Sequence, residues 1–202
     1  MELTTWLSLA AICILGAITP GASLALVLKH TISGGRINGI AASIAHGIGV
    51  ALYALLTVLG MALVIKQTPW LFGLIKYAGV AFLLWLAFKA FTSKTISIMQ
   101  LKKSHQVSLF KSSRDGFLIA FLNPKLAIFF LALFSQFLDS TTDALQKMVM
   151  VITVGTIDAL WYCIVAVLLS QSSILDKIGN NLHTIERVTG VVLIAIAARV
   201  LM

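Results

Sequence analysis

The chain has few charged residues, and this scarcity excludes an ordinary soluble protein. Of its 202 residues only 11% are charged, whereas 59% are hydrophobic, and the mean hydropathy is +1.01. A typical soluble domain has about 25% charged residues, so this chain cannot cover an apolar core with a polar surface. The composition therefore predicts a membrane protein whose apolar side chains face lipid.

Cysteine and proline are also scarce. The two cysteines, Cys13 and Cys163, form neither a CxxC motif nor a metal-binding spacing, and a free cysteine inside an apolar run usually packs as a small hydrophobic residue. We expect no metal and no cofactor. Two of the three prolines, Pro20 and Pro124, lie inside apolar segments. Proline removes a backbone hydrogen bond there and breaks the helix.

Six apolar runs are long enough to cross the hydrocarbon core, which needs about 20 residues. They cover residues 3–28, 38–65, 70–91, 115–137, 147–170 and 184–202. The expected fold class is an all-α membrane protein with six transmembrane helices, of which the first and fourth are broken at Pro20 and Pro124. The expected organisation is a three-helix repeat over 1–91, a basic loop over 92–114 and a second three-helix repeat over 115–202.

The two halves resemble each other weakly in the order of their features. Pro20 matches Pro124, and His46 matches Asp158, so each half has a broken span followed by a span with a central ionisable residue. Since three spans is an odd number, the second half must enter the membrane from the opposite side. The pattern therefore predicts inverted repeats, as in many secondary transporters.

Most of the positive charge lies on one side of the predicted membrane. The connections after the first, third and fifth spans carry most of the Lys and Arg residues, so this side is predicted to be cytoplasmic and both termini extracytoplasmic. Glu2 is the only charge before Lys29, and a signal peptide would begin with a basic segment. We therefore expect the first run to be retained as a span, and the 92–114 loop to act as an orientation signal.

Asp158 and His46 are the candidates for proton coupling. Asp158 is about eleven residues into the fifth span and hence near the midplane, where a charge costs about 2.5 to 3.5 kcal/mol and usually marks an ion or substrate path. Gly155 and Tyr162 share its helix face. His46 is central in the second span, and histidine is the residue type whose unperturbed charge change falls between about pH 5 and 8. A structural ion pair for Asp158, or a structural hydrogen bond for His46, is the alternative.

Lys125 is the candidate cation of the site. It is predicted to lie about 15 Å into the fourth span, which is too deep for its ammonium group to reach the interface by snorkelling. It must therefore meet water in a cavity or pair with an anion, either Asp158 or the carboxylate of a substrate. A purely structural bond to Asp158 or to a backbone carbonyl is the alternative.

The two helix breaks are the predicted substrate site. Broken helices expose positive N-terminal ends that attract a carboxylate, and free carbonyls, such as those near Gly16, that attract an ammonium group. A kink that only shapes the bundle is the alternative. The predicted substrate-binding residues are Gly16, Pro20, Gly21, Asn123, Pro124, Lys125 and Tyr162.

Three segments resemble the lysine exporter (LysE) superfamily, with the homoserine and threonine efflux branch as the closest pattern. The resemblance rests on GAITPGA at 16–22, KYAGVAFL at 76–83 and FLNPKLAIFF at 121–130. The most specific part is Asn-Pro-Lys at 123–125 together with FSQF at 134–137. The first motif of the family usually reads Pro-Gly-Pro, whereas this chain has Ala22 in place of the second proline.

The resemblance implies an exporter of amino acids or their derivatives in the bacterial inner (plasma) membrane, driven by proton antiport, and not an enzyme. Its partners would be an amino-acid substrate, protons and the lipid bilayer, with a possible homo-oligomer and no nucleic acid. A carboxylate in the fifth span, here Asp158, fits the family. The alternatives are a membrane thiol-redox carrier, disfavoured because Cys13 and Cys163 lie in non-equivalent spans, and a metal or ion permease, for which the ligands are few.

Overall fold

The computed structural model describes residues 1–19, 21–92 and 107–168 together with positions 187, 191, 194 and 198. Pro20, most of the predicted sixth span and the centre of the predicted basic loop lie outside the described residues. The described part is all-helical, which confirms the predicted class, whereas the six-span inverted repeat stays a prediction. Its seven helices are α1 Leu3–Ile18, α2 Ala22–Gly34, α3 Arg36–Gln67, α4 Pro69–Thr92, α5 Leu109–Phe121, α6 Pro124–Phe134 and α7 Ala144–Leu168.

Two pairs of consecutive helices form sharp bends at the predicted breaks. The axes of α1 and α2 differ by 59°, and those of α5 and α6 by 54°. In the part of the chain that the structure describes, α3 and α7 are each long and apolar enough to cross a membrane, and the count rises from 2 to 4 when each bent pair is taken as one broken span.

Local sequence explains where the bent helices stop and start. The Asn123 side chain accepts a hydrogen bond from the Lys125 amide at 3.0 Å, and Pro124 is the first residue of α6. Asparagine is a favoured N-cap, and proline fits the first helical position because the amide it lacks would have no helical partner there. In the other pair, α2 begins at Ala22 after an extended Gly21.

The helices α3 and α7 pack against each other in antiparallel register at the centre of the protein. A Cβ added at Gly39 would lie 2.9 Å from the Cβ of Ala166, and one added at Gly47 would lie 2.5 Å from the Cβ of Ala159. Gly39, Ser43 and Gly47, spaced four residues apart, lie on the face of α3 that packs closely. The small residues bring the two helix axes close together and fix their relative rotation.

The distribution of polar side chains is the reverse of that in a soluble protein. Large apolar residues such as Trp70 and Phe110 are exposed, as expected for a surface that contacts lipid. The buried polar residues lie mainly on α2, α3, α5 and α7 and therefore inside the bundle. They are Ser23, His30, Thr31, Asn38, Ser43, His46, Thr57, Ser112, Ser135 and Asp158.

Candidate functional site

The two residues predicted to couple protons are in direct contact. His46 Nδ1 on α3 lies 2.6 Å from Asp158 Oδ2 on α7, and His46 is only 1% exposed. The contact depends on the close approach of α3 and α7, because Gly47 and Gly155 flank the pair on the two facing helices. At this separation the imidazole and the carboxylate are within hydrogen-bonding distance, and each is a group that can carry a proton.

Side chains from two further helices surround this pair. The Tyr162 ring, one helical turn after Asp158, packs edge-on against His46 with 5.0 Å between the ring centroids. Its hydroxyl faces the Ser23 side chain on α2, and Cys13 on α1 lies close enough to Asp158 to experience its charge. The predicted neighbour Tyr162 is therefore part of the pair's surroundings.

The second ring nitrogen of His46 has no hydrogen-bond partner among the described residues. His46 Nε2 and Trp161 Nε1 are both buried and unpaired in this part of the chain. Buried polar atoms are almost always hydrogen-bonded, so each exception needs an explanation. A proton bound at Nε2 would add an N–H that requires an acceptor.

The residues of the two helix breaks also come together. Lys125 Nζ lies 3.9 Å from the position that a Cβ at Gly21 would occupy, so the Lys125 ammonium group from the second break is close to the first. Gly16, in contrast, packs against Phe129 of α6, whose Cζ lies 3.0 Å from a Cβ position on Gly16. Asn123 caps α6 between these groups. The sequence analysis left two candidate anions for Lys125, Asp158 and a substrate carboxylate. In the structure the Asp158 carboxylate contacts His46.

A cavity of about 440 Å³ lies between the start of α2 and the length of α5. Asn123 is at the end of this cavity nearest the break and Asp115 is one of its polar members, whereas most of its wall is apolar. Pockets of this size hold small molecules. The lining residues are Ala22, Asp115, Leu118, Ile119, Leu122 and Asn123.

Cysteines and metal ligands are sparse within the described ranges. Cys13 and Cys163 are both free, the former buried and the latter half-buried. Across residues 1–19, 21–92 and 107–168, no three side chains of His, Cys, Asp or Glu are grouped as ligands for a metal ion.

The sequence analysis missed a second buried histidine. His30 on α2 is 3% exposed, and its Nε2 lies 3.5 Å from Asp115 Oδ2 on α5. Its position next to Lys29 at the end of an apolar run indicates a solvated helix end, which concealed its burial. The only available signal was an ionisable residue near one end of each broken span, His30 in the first and Asp115 in the fourth. Such residues are common at the ends of spans.

Comparison with known proteins gives a family for the chain. The family model described as LysE type translocator matches residues 14–202. This match covers the two helix breaks, the histidine and aspartate pair and the predicted sixth span.

Curated relatives include membrane proteins from several bacteria. An uncharacterized membrane protein of Vibrio cholerae is 31% identical over 161 residues, covering 79% of this chain and 78% of the relative. The Bacillus subtilis membrane protein YrhP is 24% identical over 96% of this chain and 95% of its own. A protein of Salmonella typhimurium named leucine efflux protein is 26% identical over 90% of this chain and 87% of its own. No solved structure matches the chain.

Proposed function

We propose that this chain, which belongs to the LysE type translocator family, is a secondary exporter of amino acids or their derivatives that takes up protons in exchange for substrate. The family match supports a translocator, and relatives named leucine efflux protein support an amino-acid substrate. Leucine and other aliphatic amino acids are accordingly the first substrates to test. The charge distribution supports a plasma-membrane orientation with the basic loops in the cytoplasm.

The contact between His46 and Asp158 is the observation that carries the proton-coupling part of this proposal. Burying an ionisable pair in a membrane protein costs free energy, and such residues usually mark an ion or substrate path. The pair has a net charge of −1 when it holds only the proton on the imidazole, and it becomes neutral when it binds a second. The pair of His46 and Asp158 can therefore alternate between two charge states during each transport cycle.

Protons and substrate compete for this negative charge in the proposed mechanism. A cationic ammonium group from the substrate, or from Lys125, neutralises the pair when the second proton is absent. When the proton binds, that attraction is lost and the cation is released. Because the second proton on His46 Nε2 needs an acceptor, its binding also favours a rearrangement of the surrounding helices.

The helix breaks are the proposed site for the substrate carboxylate. The N-termini of α2 and α6 begin at the two breaks, and a helix N-terminus attracts anions. The Lys125 ammonium group near Gly21 adds a positive charge. The apolar wall of the neighbouring cavity, formed by Leu118, Ile119 and Leu122, would contact an aliphatic side chain.

Alternating access would follow from rocking of the two halves around this site. Inverted repeats place equivalent helices in opposite directions, and the antiparallel packing of α3 against α7 is consistent with that relationship. Since His46 belongs to the first half and Asp158 to the second, relative motion of the halves changes the distance between the two residues. Protonation and conformation would thereby be coupled.

The test is efflux from proteoliposomes preloaded with labelled leucine, threonine, homoserine and lysine, with and without an inward proton gradient. We expect the gradient to stimulate loss of one class of amino acid in the wild type and to have no effect in Asp158→Asn. The same variant should still exchange labelled for unlabelled substrate, because exchange requires no net proton movement.

The matched control is Asp143→Asn, which removes an exposed carboxylate. Asp143 Oδ1 accepts a hydrogen bond from the Gln146 amide at 2.7 Å, and an asparagine oxygen would replace it, so this variant should export normally. Efflux of no amino acid by folded wild type would overturn the exporter. Gradient-driven efflux that survives in Asp158→Asn would overturn the proton-coupling role alone.

A further inference from the structure

A cluster of polar side chains outside the proposed site is centred on His30 near the end of α2. Both ring nitrogens of this buried histidine have a partner on α5: Nδ1 lies 2.9 Å from Ser112 Oγ, and Nε2 lies 3.5 Å from Asp115 Oδ2. A hydroxyl on one side and a carboxylate on the other hold the ring in one orientation. The cluster therefore joins α2 to α5.

Asn38 brings a third helix into the cluster. Its Nδ2, near the start of α3, donates a hydrogen bond to Ser112 Oγ at 3.1 Å. One turn further along both helices, Gly116 packs directly on the backbone of Ala42, with no room for a Cβ. We name His30, Asn38, Ser112 and Asp115 the His30 cluster. It joins the C-terminal end of α2 and the start of α3 to the start of α5.

The composition of the His30 cluster is unusual for a contact that only stabilises a fold. Well-packed apolar residues usually stabilise a buried contact as well as an ion pair does, and single polar bonds between membrane helices contribute little to stability. Such bonds are weak enough to open and reform during a transport cycle. They are also specific, because each requires a defined partner.

The His30 cluster lies at the boundary between the two halves of the chain. His30 and Asn38 belong to the predicted first repeat, whereas Asp115 begins the second, and Ser112 lies one turn before it on the same helix, α5. Asp115 also borders the 440 Å³ cavity that extends to Asn123. A movement of α5 that changes the shape of the cavity must therefore also change the distance between Asp115 and His30.

The charged groups around the His30 cluster identify its side of the membrane. Lys29 on α2 and Lys111 on α5 lie close enough to influence His30 electrostatically, and Arg114 Nη2 lies 3.1 Å from Asp115 Oδ1. This excess of positive charge belongs to the connections predicted to face the cytoplasm. An exporter collects its substrate from that side.

We infer that the His30 cluster is a gate contact, which holds the predicted cytoplasmic ends of α2, α3 and α5 together in one state and separates when that side opens to admit substrate. The inference rests on the proposed function, since only a transporter must open and close. The four members are positioning residues that act on the helices, and the substrate site stays at the helix breaks.

The test measures the distance between α2 and α5 by electron paramagnetic resonance in lipid nanodiscs. Spin labels are attached through Lys29→Cys and Phe110→Cys, both at exposed positions, in a background with Cys13→Ala and Cys163→Ala. The protein with an intact cluster should show one dominant short distance. Ser112→Ala, Asp115→Asn and His30→Gln should each shift the distribution toward longer distances.

The matched control is Thr57→Val, which removes another buried hydroxyl from α3. Thr57 Oγ1 donates to the Tyr53 carbonyl of its own helix at 2.9 Å, so its loss should leave the distance distribution unchanged. Distributions that stay the same in all folded cluster variants would overturn the gate. The measurement needs no transport, so failure of wild-type export in proteoliposomes would overturn the proposed function separately. Three variants with different polar changes ensure that one misfolded protein does not remove the test.

Discussion

Two buried pairs of histidine and aspartate differ in how completely each histidine is bonded. In the central pair, His46 lies 2.6 Å from Asp158 through Nδ1, and its Nε2 has no partner among the described residues. In the outer pair, His30 lies 3.5 Å from Asp115 and uses both ring nitrogens. The central contact is short and incomplete, and the outer one is longer and complete.

The difference separates two tasks that a transporter must perform. An unbonded ring nitrogen has capacity for another proton or for a ligand, which suits a residue that changes charge in each cycle. A histidine with a partner at each ring nitrogen leaves neither nitrogen open to a ligand, and the His30 cluster holds three helices in defined positions. The same two residue types can therefore serve proton coupling in one place and gating in the other, depending on their surroundings.

The largest expected effect comes from replacing each of the two histidines by glutamine in separate variants. We expect His46→Gln to abolish gradient-driven export while exchange continues, because glutamine cannot carry a proton. His30→Gln should lower both export and exchange by a similar factor, since a gate contact affects every route through the cycle. Paired flux assays in proteoliposomes measure both activities. Equal behaviour of the two variants would remove the distinction between the pairs.

The next effect tests whether close packing maintains the central contact. Gly47→Ala would place a Cβ 2.5 Å from the Cβ of Ala159, so α3 and α7 must separate, at a cost of about 1 to 3 kcal/mol. Gly60→Ala, on the same helix with nothing within 4 Å, should instead stabilise the helix by up to about 1 kcal/mol.

Thermal unfolding in detergent gives the two stabilities, and export activity gives the consequence for the central pair. Gly47→Ala should lower both the melting temperature and gradient-driven export. A melting temperature that rises in both glycine variants would show that α3 and α7 are not in close contact at Gly47.

A smaller effect tests the outer pair alone. Ser112→Ala removes the group bonded to both His30 and Asn38, and we expect a loss of about 1 kcal/mol because buried partners are left unsatisfied. Its effect on stability should depend on whether His30 is present. In a double-mutant cycle with His30→Gln the two effects should not add, and additive effects would contradict a single bonded cluster.

The smallest effect concerns a carboxylate outside both pairs. The hydroxyl and amide of Thr141 donate to Asp139 Oδ1, each at 2.7 Å, and these hydrogen bonds hold the pKa of Asp139 below its usual value of 3.8. A lowered folded pKa stabilises the protein above the unfolded pKa, and this stabilisation disappears as the pH falls through the folded pKa.

Asp139→Asn should therefore lower the melting temperature slightly at neutral pH, and the difference from the wild type should shrink as the pH falls below about 4. Because Asp139 is almost fully exposed, solvent screens this interaction. Export should be unchanged. A difference in melting temperature that is constant from neutral to acidic pH would contradict a stabilising role of the charged carboxylate.

Sequence alone was sufficient to predict the membrane class, the helical fold and the positions of the two breaks. These depend on composition and on local chemistry: apolar runs predict spans, and Asn123 with Pro124 predicts the end of one helix and the start of the next. The depth of Asp158 and His46 within their spans also follows from residue counting. Each property is encoded within a few neighbouring residues, so no knowledge of distant contacts is required.

Which polar residues meet, in contrast, depends on tertiary packing. The contact of His46 with Asp158, and that of His30 with Asp115, depends on the rotation of each helix and on its register against a distant neighbour. Both are set by backbone contacts such as those at Gly47 and by the bend angles at the breaks. Since a shift of one residue rotates a helical side chain by about 100°, sequence depth alone could not identify these partners.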